Sequence, residues 1–138
     1  VRRVVIDTNA LISFVTDRNP AQQVKVAELF EAASHLKLGI LCHQNVLTEF
    51  VFVLDRVYSV PKETVNAMID DFIALPGVEI VHTIDYKLLL SLWPAPFSDF
   101  GDAILAALCK SRKNTELATF DEKFAKIAAK SGLKTYLP

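Results

Sequence analysis

Two kinds of hydrophobic run alternate along this chain. Short ones read as buried strands: Arg3–Ile6, Gly39–Cys42, Val78–Val81, Glu116–Thr119 and a last brief one at Lys134–Leu137. Between them, apolar residues recur at helical spacing. Asn9–Val15 predicts a short helix, and Val24–Leu36 a longer one carrying Val24, Ala27, Leu29, Phe30 and Ala33. Asn45–Val57 is apolar on nearly every side, so it predicts a helix that is buried or covered by another subunit. Pro61 suits the first turn of a helix running to about Leu75, where Pro76-Gly77 stops it. Tyr86–Leu92, Asp99–Lys113 and Glu122–Lys130 complete the helices, and Trp93-Pro-Ala-Pro96 is a rigid loop. Strands alternating with helices predict an α/β fold, a mainly parallel sheet of about five strands flanked by helices.

Length and composition narrow this further. The 138 residues fit one domain, 1–138, and no repeat, low-complexity tract or linker divides them. A hydrophobic fraction of 51% excludes a disordered chain. The longest apolar run, Ala103–Cys109, is far short of the ~20 residues of a membrane span. Val4–Ile6, ended by Asp7, is too short for the core of a signal peptide. Cys42 and Cys109 form no spaced motif, so the expected setting is a reducing cytoplasm. A net charge of −1 excludes a strongly basic nucleic-acid coat protein, though not an enzyme that meets RNA at one local site.

Chemistry is expected where carboxylates fall at strand ends, since parallel sheets gather their sites there. Asp7 follows the first strand and Asp121 the fourth. Asp102 lies in the first turn of an apolar helix, with Asp99 three residues earlier on the same face. Glu49 is the only acid within Val46–Leu54, a costly place for an uncompensated charge. Each acid also has a structural reading: Asp7 as a turn former, Asp99 and Asp121 as helix caps, Glu49 as a solvated edge. For Asp99 the cap is the better reading. If four carboxylates converge, two charges ~5 Å apart repel by roughly 3 kcal/mol at an effective dielectric of 20. Protons or a cation must relieve that repulsion, and all-oxygen ligands favour a hard ion, Mg²⁺ or Mn²⁺.

Four segments carry a resemblance: Val4-Val-Ile-Asp-Thr-Asn-Ala-Leu-Ile12, Asn45-Val-Leu-Thr-Glu49, Asp102-Ala-Ile-Leu-Ala-Ala107 and Ala118-Thr-Phe-Asp-Glu-Lys-Phe124. In this order they resemble the PIN-domain ribonucleases, most of all the VapC-type toxins of toxin–antitoxin pairs. The resemblance implies a parallel sheet with an acidic metal site at its carboxyl edge. It assigns Asp7, Glu49, Asp102 and Asp121 as metal-holding catalytic acids. Asn9 and Thr119 match polar positions that orient the acids or the water, and Asp99 is a weaker candidate ligand. It further implies an RNA substrate, a homodimer and a partner antitoxin that covers the site.

Other readings compete less well. His35, His43 and His82 have no ligand spacing, and Cys42 beside His43 faces away from it on a strand. No glycine-rich phosphate loop is present. Lys123, Lys126 and Lys130 form a stripe on the last helix, read as a solvated face before a phosphate track. A phosphatase would want a second Asp where Asn9 stands, and a phosphoreceiver an acid after the third strand, where His82-Thr83 follow. A PIN-fold RNA-processing nuclease without an antitoxin, and a silent binding module of the same fold, are the remaining alternatives.

Overall fold

Val4, Val5 and Ile6 of β1 (Arg3–Ile6) are fully buried, as β-branched residues are in a strand covered on both faces. In the computed structural model, which describes residues 1–137, β1 is the central strand of a five-stranded sheet. The others are β2 (Gly39–His43), β3 (Val78–Val81), β4 (Thr115–Ala118) and β5 (Lys134–Thr135). Their order is β3-β2-β1-β4-β5, and every pair is parallel. The predicted α/β class and strand count hold.

Among the described residues seven helices connect and cover the strands: α1 (Thr8–Val15), α2 (Pro20–Ser34), α3 (Gln44–Arg56), α4 (Lys62–Ala74), α5 (Tyr86–Leu92), α6 (Phe100–Ser111) and α7 (Glu122–Lys130). The long apolar run Ala103–Cys109 is buried throughout, because α6 packs against β1 and β4 on one side and α5 on another. The turn from α4 into β3 depends on Gly77, at φ +83. A Cβ there would lie 2.8 Å from the Ala33 carbonyl oxygen at the end of α2. Among the described residues no helix is long and apolar enough to cross a membrane. Cys42 and Cys109 are both free and buried, and burial pushes each thiol up to about 12.

Several boundaries differ from expectation for local reasons. Helix α2 starts at Pro20 rather than Val24, because Asn19 caps it by accepting from Gln22 N at 3.1 Å and Pro20 suits the first turn. Strand β4 stops at Ala118, so Thr119 and Phe120 belong to the turn beyond it. Helix α6 begins at Phe100 and leaves Asp99 outside as its cap. The last strand keeps only Lys134 and Thr135. Of the two settings expected for α3, full burial is the one that does not hold. The helix buries only Val46, Leu47, Phe50 and Leu54, while Val51, Phe52 and the C-cap Val57 are exposed, Phe52 by 58%.

Candidate active site

From β1 the chain steps to β2 and β3 on one side, then crosses to β4 on the other. A crevice opens beyond the carboxyl ends of strands where such an order reverses. Ile6 pairs with Ala118, so the residues that follow them, Asp7 and Thr119, meet there. The Thr119 hydroxyl donates to Asp7 Oδ2 at 2.8 Å. Asn9 Nδ2 donates to the same oxygen at 3.2 Å and to Thr119 Oγ1 at 3.1 Å. The backbone N–H of Thr8 donates to Asp7 Oδ1 at 2.7 Å. Two further bonds lock the β4–α7 turn into this network: Asn9 Oδ1 accepts from Phe120 N at 2.9 Å, and Thr119 Oγ1 accepts from Asp121 N at 3.1 Å. Asp7 is thereby fixed in orientation by side chains from both ends of the chain.

The remaining predicted acids line the same cleft of about 190 Å³. Asp7, Glu49, Asp99, Asp102 and Asp121 surround it, with Asn45 beside them and no Lys or Arg in its wall. Asp99 takes the capping role, its Oδ1 accepting from Asp102 N at 2.9 Å. Asp121 caps α7 by accepting from Phe124 N at 3.0 Å. Glu49 lies on the exposed side of α3, so the desolvation cost expected from its apolar neighbours does not arise. Asp102 accepts no hydrogen bond on its carboxylate among the described residues and is half-buried.

Charge crowding shows in two of these groups. Burial raises the Asp7 carboxyl to about 6 against the pull of its Thr119 and Thr8 bonds, with Glu49 and Asp121 adding repulsion. Burial also raises Asp102 to about 7, assisted by the charges of Asp99, Asp7, Asp121 and Glu49. Among the described residues no three acids, histidines or cysteines close on a single point. The donors stand around the cleft rather than forming a finished cage. Their chemistry still fits a hard, partly hydrated cation: carboxylate oxygens in excess, no competing basic side chain, and no nitrogen or sulfur ligand.

All six expected site residues and Asp99 therefore reach one region, Asn9 and Thr119 through the Asp7 network. Asn45 lines the cleft and was not singled out from sequence. Its position four residues before Glu49, one helical turn away, was the available signal. His43 is occupied structurally: Nδ1 accepts from Asn45 N at 3.0 Å, Nε2 meets Thr83 O at 3.1 Å, and burial lowers its pKa. Lys123, Lys126 and Lys130 are exposed on α7. The strand order differs from the 2-1-3-4-5 order of phosphoreceivers, which removes that alternative.

A family model for the PIN domain matches residues 4–130. Comparison with curated proteins returned no match. Among solved structures, the chain is similar to VapBC2 from Rickettsia felis bound to a promoter DNA fragment, at 18% identity and a TM-score of 0.67, with 98% of each chain covered. It is also similar to VapC20 of Mycobacterium tuberculosis, a sarcin–ricin loop cleaving toxin, at 15% identity and a TM-score of 0.69, covering 98% of this chain and 99% of that one. A domain of a functionally unknown protein from Methanocaldococcus jannaschii matches at 17% identity and a TM-score of 0.55, over 100% of this chain and 91% of that one.

Proposed function

The chain belongs to the PIN-domain family, and we propose that it is a divalent-metal-dependent endoribonuclease, the toxin of a toxin–antitoxin pair. The observation that carries this reading is the ring of five carboxylates around one cleft with no basic side chain to neutralise it. Asp7, Glu49, Asp102 and Asp121 are the residues that would hold Mg²⁺ or Mn²⁺. When bound, such an ion supplies a polarised water and offsets charge on the phosphoryl oxygens.

The protein's own part is positioning. Thr119 and Asn9 fix both the rotamer of Asp7 and the distance between the β1 and β4 ends. Asp7 and Asp102 take up protons near neutral pH when no cation is present, so they also set the pH above which a cation is held. Asp121 and Asp99 keep one oxygen each on a helix N–H, which leaves the other free toward the cleft. RNA is the substrate this reading requires. A cognate antitoxin belongs to it as well, in keeping with the full-length likeness to VapBC2 and VapC20, and a homodimer and a cytoplasmic setting complete the reading.

The direct test is cleavage of a randomised single-stranded RNA pool by the purified protein. Cleavage is expected to vanish in EDTA and to return with Mg²⁺ or Mn²⁺. Undiminished cleavage in EDTA would overturn the mechanism.

A further inference from the structure

A cleft ringed by carboxylates repels the substrate it is meant to receive. The chain as a whole does not compensate, because its net charge is −1. Something local must hold the RNA backbone. The acidic cleft shares two of its wall residues, Asn9 and Asp121, with a second, open depression of about 340 Å³. The other walls of that depression are Arg18, Asn19, Gln22 and Phe120.

Arg18 is the cation of this wall, and it is held in place. Its Nε donates to Ser13 Oγ at 3.0 Å, and Nη2 donates to the Asn9 carbonyl oxygen at 2.9 Å. Ser13 is fixed in turn, its hydroxyl donating to Gln22 Oε1 at 2.7 Å. A guanidinium has five N–H donors, so these bonds leave three for another acceptor. Arg18 forms no ion pair among the described residues, and its side chain is exposed. Asp121 is the one carboxylate lining the depression, and one of its oxygens is already spent on Phe124 N. The result is an oriented, unpaired guanidinium beside an acidic cleft, with the ring of Phe120 in the same wall.

We propose that this depression is a nucleotide subsite. The fork of Arg18 takes the non-bridging oxygens of a phosphate flanking the one to be cut, and Phe120 offers a face to the adjoining base. Arg–phosphate pairing through parallel N–H donors and base stacking on aromatic rings are the two usual means of holding single-stranded RNA. The inference rests on the nuclease reading above and gives it a binding register. Asn9 links the two sites, because its side chain orients Asp7 while its carbonyl orients Arg18.

The test uses the best-cleaved sequence from a randomised single-stranded RNA pool, with Mn²⁺ for cleavage and Ca²⁺ for binding by fluorescence anisotropy. Arg18→Gln is expected to raise Kd and KM about tenfold, the scale of a charged hydrogen bond, and to leave kcat within about twofold. Its log–log salt slope of binding should be shallower by about 0.7, one phosphate contact on a single strand. Asn19→Asp keeps the α2 cap, since Asp caps as well as Asn, but sets a carboxylate in the depression. It should raise KM with an unchanged melting temperature. Single methylphosphonate substitutions should weaken the wild type at one flanking linkage and leave Arg18→Gln indifferent there. A merely structural Arg18 would move melting and kcat without that linkage-specific loss. Wild-type cleavage with identical KM, salt slope and methylphosphonate pattern in Arg18→Gln would overturn the subsite alone. Wild-type protein that neither binds nor cleaves RNA would overturn the nuclease reading, and the subsite with it.

Discussion

Asp7 and Asp102 line the same cleft, yet they depend on it differently. Asp7 accepts three hydrogen bonds, from Thr8 N, Thr119 and Asn9. The Asp102 carboxylate accepts none among the described residues and meets chiefly burial and like charge. Neutralising each should therefore act on stability in opposite directions. Asp102→Asn removes repulsion and is expected to raise the melting temperature of the metal-free protein. Asp7→Asn keeps the shape but turns an NH₂ toward a donor whichever way the amide flips, Thr8 N on one side and Asn9 Nδ2 on the other. That mismatch costs about 1–3 kcal/mol, and the melting temperature should fall or stay level. Both should reduce metal-dependent cleavage by more than about a hundredfold, the scale of disturbing a metal's ligands or their supports. Differential scanning fluorimetry beside a cleavage assay checks the pair. The acids themselves were legible in the sequence because Asp7, Asp102 and Asp121 adjoin a strand end or open a helix and Glu49 stands alone in an apolar run. Arg18 was not, because its place is set by a carbonyl nine residues back and a hydroxyl five back. Only the path of the α1–α2 loop brings these together.

Elements were read well where periodicity governs them and poorly where a single capping side chain does. Tyr86–Leu92 and Glu122–Lys130 stand as the spacing predicts. The first turn of α2 was missed because Ala21, Gln22 and Gln23 carry no apolar signal, and Asn19 alone decides the start. The exposed side of α3 fits the expectation of a helix too apolar for one sheet to cover. Its Val51 and Phe52 are as hydrophobic as its buried residues, so composition cannot tell which face the sheet covers. Two glycines separate backbone strain from close contact. Gly77 and Gly132 both have positive φ, at +83 and +87. A Cβ at Gly77 would strike the Ala33 carbonyl, whereas nothing lies within 4 Å of one at Gly132. Gly132→Ala should cost about 1 kcal/mol, the left-handed penalty alone. Gly77→Ala should cost clearly more, about 3 kcal/mol or above, because α2 or β3 must also shift. Urea denaturation of the two variants reads the difference.

For the molecule as a whole, the raised carboxyls set a pH dependence. Unfolded Asp residues lose their protons near pH ~4, while folded Asp7 and Asp102 keep theirs to about 6 and about 7. Between these limits the folded protein binds more protons than the unfolded chain, so its stability falls as pH rises. The metal-free melting temperature is expected to climb as pH is lowered from about 7.5 toward 5, and saturating Mg²⁺ should weaken or reverse the trend, since a cation competes with those protons. A metal-free melting temperature that rises from pH 5 to 7 would contradict it. The exposed α3 strip bears on assembly: Val51, Phe52 and Val57 leave apolar area in water, with the Arg56 guanidinium 5.4 Å from the Phe52 ring centre. A two-fold contact is the commonest way to cover such a face. Light scattering at micromolar concentration should therefore give twice the mass of one chain, and Phe52→Glu should halve it. The sheet order has a consequence in time as well. Strand β1 is made well before one of its two neighbours, β4, and the Thr119 hydroxyl that orients Asp7 follows that carboxylate by 112 residues. At ribosomal speeds of roughly 5–20 residues per second, that interval lasts about 6–22 s. Through most of it the growing polypeptide has Asp7 and then Glu49; Asp102 joins near its end, and Asp121 and the network that ties the cleft together only after it. A polypeptide interrupted before β4 lacks the assembled cleft, and the five carboxylates around it stand together only once Asp121 has been made.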